Sequence, residues 1–257
     1  MNGKTVIITG GGSGIGKAMA QKFASKGANV MITGRNVDKL KNAKAEIQTF
    51  EGQVLDFVMD VRIPENARDM VEAAKERFGK IDALINNAAG NFICAAEDLS
   101  INGWNAVINI DLNGTWYCTQ AVGKDWIDNK QTGSILNIVA TFAWGAAPGN
   151  VHAASAKAGI LAMTRTLAVE WGKKYGIRAN CIAPGPIENT EGVARLIESG
   201  DGYQKAINQV PLKRFGRAEE IANLAYFLLS PEAEYINGEC VAMDGALWLN
   251  NSGLKEV

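Results

Sequence analysis

The chain has 257 residues, 47% of them hydrophobic and 21% charged, which is ordinary for a soluble globular protein and long enough to bury a substantial core. Its 26 lysines and arginines against 27 aspartates and glutamates leave a net charge of -1. That balance excludes a global field for nucleic acid or an anionic membrane, so neither partner is expected and any anionic ligand has to be met locally. No apolar run reaches the ~18 residues of a bilayer span. The four cysteines, Cys94, Cys118, Cys181 and Cys240, lie far apart without zinc or disulfide spacing, so no metal is expected and they read as buried thiols. The first residues enter a strand pattern with no signal-peptide design, and the final "LKEV" is no peroxisomal address; a cytoplasmic location is the expectation.

Short β-branched runs alternate with longer helical patterns as far as about position 243, the sequence form of repeated βαβ units. Strands are predicted at 5–9, 29–33, 54–58, 81–86, 134–139, 178–183 and 240–243. Most are apolar on both faces, as in a parallel sheet covered by helices on each side. Helical spacing of apolar residues runs over 15–25, 38–49, 65–78, 104–127, 153–174 and 218–229, and several of these patterns stop at a glycine (Gly27, Gly79, Gly176). The expected architecture is α/β: one domain over 1–257, a doubly wound parallel sheet with helices on both faces. The irregular stretch from Pro184 to Val210 is too long for a tight turn and reads as a substrate lid or a structural excursion.

The first predicted strand runs into "TGGGSGIG", Thr9 to Gly16, and then a helix. Glycines there let the backbone turn sharply and approach a pyrophosphate, whose charge the free N–H groups of the following helix can meet. Gly10, Ser13, Gly14, Ile15 and Gly16 are therefore candidate dinucleotide contacts. The second strand ends in "TGRN", so an arginine, Arg35, stands about 20 residues beyond the glycines, where an NAD site usually places an acid. Arg35, backed by Lys17, offers a fork for a 2′-phosphate and favours NADPH; the alternative is a solvated loop charge. Asp60 and Val61 of "MDV" follow the third strand, where the acid can accept from an adenine amino group or cap a helix. Asn87, Ala88, Ala89 and Gly90 of "NNAAG" end the fourth, on the same carboxyl edge of the sheet.

Together "TGGGSGIG", "NNAAG", "SAKAG" and "PGPI" resemble the short-chain dehydrogenase/reductase family over nearly the whole chain. The resemblance implies a seven-stranded Rossmann-like sheet, a nicotinamide cofactor and commonly a homotetramer. It also implies that Lys157 holds the nicotinamide ribose, that Pro184, Gly185 and Ile187 line the carboxamide, and that Thr190 binds the pyrophosphate. Three positions depart from the family pattern: Asp111 stands for its asparagine, Ala140 for its serine and Ala153 for its tyrosine. Reducing a ketone needs an acid aimed at the oxygen, since the alternative is a very basic alkoxide, so ordinary carbonyl chemistry is disfavoured.

The 2,4-dienoyl-CoA reductase branch is similar to this chain in those same places, through "NNAAGNF", "VHAASAKAG", "LAVEWG" and "APGPIENTEG". It implies hydride transfer from NADPH to the δ carbon of an acyl-CoA dienoyl thioester and protonation at the α carbon, giving a 3-enoyl-CoA in unsaturated fatty-acid degradation. Its peroxisomal form carries an aspartate at the position of Asp111, acting with the lysine; the tyrosine of the mitochondrial form is Phe142 here. Asp111 is thus expected to point at Lys157 with a water between them, a partly buried carboxyl suited to acid catalysis. Its alternative is an ion pair that only positions the lysine. Asn91 donates to the thioester oxygen on this reading, or is a turn asparagine. His152, the only histidine, is expected before the helix, capping it or packing beside the cofactor, with a catalytic acid as the alternative. Trp144 and Trp171 read as core or subunit-contact aromatics. Two rival readings are NADPH reduction of another carbonyl, such as a 3-oxoacyl or sugar compound, and dinucleotide binding without catalysis.

Overall fold

A computed structural model describes residues 1–196 and 201–250. Seven strands form one sheet in the order β3-β2-β1-β4-β5-β6-β7. They are β1 (Thr5–Thr9), β2 (Asn29–Gly34), β3 (Val54–Val58), β4 (Ala83–Asn86), β5 (Ser134–Ile138), β6 (Arg178–Pro184) and β7 (Cys240–Met243). Every neighbouring pair runs parallel. Apolar residues on both faces of the central strands make this possible: Val6 and Ile8 of β1 enter one core, while Ile7 between them enters the other.

The first core is closed by α1 (Gly14–Ala24), α2 (Val37–Ile47) and α9 (Ala218–Leu229), and the second by α3 (Pro64–Phe78), α5 (Gly114–Asp128) and α6 (Val151–Tyr175). The chain reverses direction across the sheet between β1 and β4, which opens a crevice at their carboxyl ends. No helix among the described residues is long and apolar enough to cross a membrane.

Two predicted elements change form. The pattern read as one helix over 104–127 is α4 (Ile101–Ile108), a π-turn over Asn109–Asn113, and α5. The segment read as irregular from Pro184 contains α7 (Glu191–Leu196) and α8 (Asp201–Gln209); residues 197–200 of the expected lid lie outside the described residues. The cysteines are also less scattered than their spacing suggests, because strand register sets Cys181 beside Cys240 on β6 and β7.

A polar chain runs beneath the site through the second core. Asn86 Nδ2 donates to Thr119 Oγ1 (2.9 Å) and to Asn137 Oδ1 (2.8 Å), and Asn137 Nδ2 donates to Thr164 Oγ1 (2.8 Å). All four residues are buried, so each bond replaces water that the site excludes. Asn137→Ala leaves one buried Asn86 N–H unpaired, while Thr164 Oγ1 keeps the Ile160 carbonyl, and should lower stability by roughly 1–3 kcal/mol. Urea unfolding measures this, and an unmoved midpoint would show that the chain of amides adds nothing.

Candidate active site

The glycine-rich turn between β1 and α1 is shaped by positive backbone angles at Gly10 (φ +65°) and Gly14 (φ +50°). A Cβ at Gly16 would overlap the carbonyl oxygen of Gly10, so the turn and the first turn of α1 pack with no room for a side chain. Asn87 ties this turn to the loop after β4: its Nδ2 donates to the carbonyls of Thr9 (3.1 Å) and Gly10 (3.2 Å), while Thr9 Oγ1 accepts from the Asn87 and Ala88 amides. Thr9 received no role from the sequence, although it adjoins the glycines that did.

An open cleft of about 520 Å³ begins here, and its walls include Gly10, Ser13, Arg35, Asp60, Val61, Ala88 and Ala89. The cleft thus gathers seven of the predicted dinucleotide residues, from four different βα junctions. Lys39 also lines it, a cation that sequence spacing did not single out. Lys17 does not back Arg35 as expected. Its ammonium binds the Glu46 carboxylate on α2 at 3.0 Å, because one helical turn beyond Ser13 carries it away from the strand ends. Asp60 caps no helix, since Ile63 holds that position in α3. Its carboxylate is gripped by Arg62 (2.5 Å), whose hydrogen bonds hold it below the usual carboxylate range.

Bare backbone at the turn, with two cations at the far wall of the cleft, suits a dinucleotide. Thr190, the other expected phosphate contact, sits against Gly14, with its hydroxyl donating to the Ile187 carbonyl (2.7 Å). Pro184 ends β6 and Gly185 follows it on the same sheet edge, packed against Asp244. Ile187 is turned inward and buried, joining the first core.

Asp111 and Lys157 are brought together beyond the cleft. Asp111, on the π-turn, is 1% exposed, and Lys157, two turns into α6, is 7% exposed. Lys157 Nζ lies 3.1 Å from Asp111 Oδ2, so the contact is a direct ion pair where the sequence suggested an intervening water. The other oxygen, Oδ1, accepts from the Gly90 amide at 2.8 Å, and Lys157 Nζ also donates to the Ile138 carbonyl at 3.1 Å. One carboxylate oxygen thus accepts from backbone and the other faces the ammonium, whose one directed hydrogen bond goes to the Ile138 carbonyl, leaving N–H capacity for a bound molecule. Ala153 is buried one turn before Lys157, and Ala140 follows β5, so neither neighbouring position supplies a hydroxyl.

Asn91 stands at the rim, where its Nδ2 donates to Asn150 Oδ1 (2.9 Å) and its Oδ1 accepts from the Phe92 amide (2.8 Å). One amide hydrogen stays available. His152 is not ahead of α6 but inside its first turn, with Asn150 in the capping position. It is fully buried, and neither ring nitrogen has a hydrogen-bond partner. Trp171 packs over Gly123 as a core aromatic, whereas Trp144 is an exposed rim residue set edge-on to Trp248 (5.7 Å).

Residues 10–247 match the family model described as "Enoyl-(Acyl carrier protein) reductase". A Bacillus subtilis (strain 168) relative named "Probable 2,4-dienoyl-CoA reductase [(2E)-enoyl-CoA-producing]" is 62% identical over 97% of this chain and 98% of its own. The Danio rerio "Peroxisomal 2,4-dienoyl-CoA reductase [(3E)-enoyl-CoA-producing]" is 40% identical over 98% of this chain and 84% of its own. A solved short-chain dehydrogenase from Bacillus anthracis superposes with a TM-score of 0.88 at 59% identity, covering 95% of this chain and 96% of that one. The chain belongs to the short-chain dehydrogenase/reductase family of oxidoreductases. Members of that family use a nicotinamide dinucleotide cofactor, and so does this chain.

Gly16→Ala tests the cleft. Its new methyl must push the Gly10 carbonyl out of the turn, and nucleotide affinity should fall at least tenfold, roughly the ~1.4 kcal/mol of a modest clash. Titration of nucleotide fluorescence reads this, and unaltered affinity would mean that the dinucleotide lies elsewhere.

Proposed function

We propose that the protein reduces 2,4-dienoyl-CoA thioesters with NADPH, giving 3-enoyl-CoA in the degradation of unsaturated fatty acids, in the cytoplasm and as a homotetramer. The observation that carries this reading is the buried Asp111–Lys157 pair standing where two alanines replace the hydroxyls of a carbonyl reductase. Bound NADPH supplies the hydride that adds to the δ carbon. The chain then has to hold electron density on the thioester and deliver one proton to carbon.

Lys157 is suited to both tasks. Its ammonium is held by Asp111 and the Ile138 carbonyl, and its spare N–H capacity would serve the ribose of a bound cofactor and the substrate. Asp111 acts here as the counter-charge that keeps this cation in a dry site. Asn91 donates its free amide hydrogen to the thioester oxygen. Gly10, Ser13, Gly14, Ile15, Gly16, Thr190 and the Asn87–Gly90 loop serve the pyrophosphate and the ribose. Asp60 and Val61 serve the adenine, and Pro184, Gly185 and Ile187 the carboxamide. Arg35, on the cleft wall, selects the 2′-phosphate.

The relatives' names divide on the product: the (2E)-enoyl thioester for the Bacillus protein and the (3E)-enoyl thioester for the fish protein. Protonation at the α carbon gives the latter type, protonation at the γ carbon the former, and product analysis by NMR distinguishes them.

NADPH oxidation with hexadienoyl-CoA, set beside acetoacetyl-CoA, tests the substrate class. Turnover of the diene is expected, and turnover of the keto compound alone would replace this reading with carbonyl reduction. Asp111→Asn unpairs the Lys157 ammonium that delivers the proton and should lower kcat roughly 100-fold, the lower end of what a positioned proton-transfer group contributes, while leaving nucleotide affinity within a few-fold. NADPH binding without turnover in the parent protein would point to a non-catalytic dinucleotide protein. Arg35→Ala should raise the KM for NADPH by about tenfold or more, as expected from loss of a charge-assisted bond worth ~1.5–3 kcal/mol, and leave that for NADH nearly unmoved. Equal changes for both nucleotides would remove Arg35 from the 2′-phosphate.

A further inference from the structure

His152 is the one buried polar side chain near the ion pair that the chemistry above does not use. The chain has a single histidine, and it is placed in the first turn of α6, five residues before Lys157 and adjoining the buried Ala153. Neither ring nitrogen has a well-aligned hydrogen-bond partner, although the Phe92 backbone lies close enough to act on the ring, while Asp111 is met by the Lys157 ammonium and the Gly90 amide. A buried imidazole left unpaired at both nitrogens is costly, and native interiors retain such groups chiefly where another molecule completes them.

Burial pushes the ring below the usual imidazole range, against the pull of the Phe92 backbone and of the Asp111 charge, which favours the neutral form with one N–H donor and one acceptor. A neutral imidazole can polarise a carbonyl by hydrogen bonding without surrendering its proton. One aromatic side chain lies against it. Phe92 stacks on His152 with ring centroids 4.5 Å apart at 40°, is itself 37% exposed, and belongs to the loop after β4, which has no regular structure from Asn87 to Ala95. That same loop carries Asn91, the proposed thioester donor.

We infer that His152 is a catalytic residue: when an acyl thioester displaces the Phe92 ring, the imidazole N–H donates to the thioester carbonyl oxygen and, with Asn91, holds the charge that develops there. This rests on the thioester reading above. It gives the site an oxygen-directed donor in place of the phenol lost at Ala153, drawn from the next residue on the same turn. Phe92 then acts as a hydrophobic cap that an apolar acyl chain replaces without exposing the ring to water.

Because there is one histidine, protein carrying 15N in the imidazole reports His152 alone. Adding hexanoyl-CoA, which cannot be reduced, to the NADP⁺ complex should shift the protonated ring nitrogen and slow exchange of its hydrogen. In turnover, His152→Leu should lower kcat with hexadienoyl-CoA roughly 100-fold, the loss typical of one oxyanion donor. The KM for NADPH should stay within twofold, and His152→Asn should recover part of the rate. Turnover of hexadienoyl-CoA by the parent protein, with imidazole signals that ignore bound hexanoyl-CoA, overturns the assignment and leaves the dienoyl reading standing. A clear shift without diene turnover supports His152 as the thioester ligand and removes the dienoyl reading. Neither shift nor turnover removes both.

Discussion

The site is organised by the cost of burying two charges. A carboxylate and an ammonium withdrawn from water each lose several kcal/mol of hydration, which their mutual attraction recovers only if the remaining hydrogen-bonding groups are also met. Asp111 and Lys157 satisfy that condition through the Gly90 amide and the Ile138 carbonyl. The pair therefore holds four pieces of the fold at one point: the loop after β4, the π-turn, the end of β5 and the first turns of α6. Removing either charge would leave the other unpaired in a dry interior, which is why the two positions act as a unit.

The π-turn is what lets Asp111 take part. An unbroken α-helix from Ile101 to Asp128 would present residues at a regular 100° per step, and the extra residue of a π-turn rotates everything after it. Hydrophobic periodicity cannot reveal such a turn, because a local slip of one residue leaves the apolar pattern on both sides nearly intact. This is where a single predicted helix over 104–127 became two. The identity of the acid was nonetheless legible, since its place in "DLNG" came from a motif rather than from periodicity.

The cofactor end was legible for a different reason. Strand, glycine turn and helix follow one another within the chain, so Gly10, Gly14 and Gly16 are fixed by local geometry alone. Arg35 and Asp60 follow from where parallel strands end. Lys17 was misjudged because proximity in sequence to the glycines says nothing of which way a helix carries its side chains; α1 turns Lys17 toward Glu46 of α2. Lys39 was missed for the converse reason, lying on α2 but facing the cleft. The pairing of Cys181 with Cys240, and the buried polar chain from Asn86 to Thr164, depend on sheet register and so had no local trace.

The two alanines bear on chemistry through where charge ends up. Hydride addition to a ketone leaves charge on the oxygen, and a donor must protonate that oxygen as it forms. Hydride addition to the far end of a conjugated thioester leaves charge spread over the oxygen and two carbons, and the proton that completes the reaction goes to carbon. A phenol at Ala153 would be aimed at the wrong atom for that last step. A cation fixed nearby, with neutral donors on the oxygen, stabilises the delocalised charge without committing a proton to it. On the dienoyl reading the buried lysine is the fixed cation, and the rim asparagine and the covered imidazole are the neutral donors, drawn from two segments, α6 and the loop after β4.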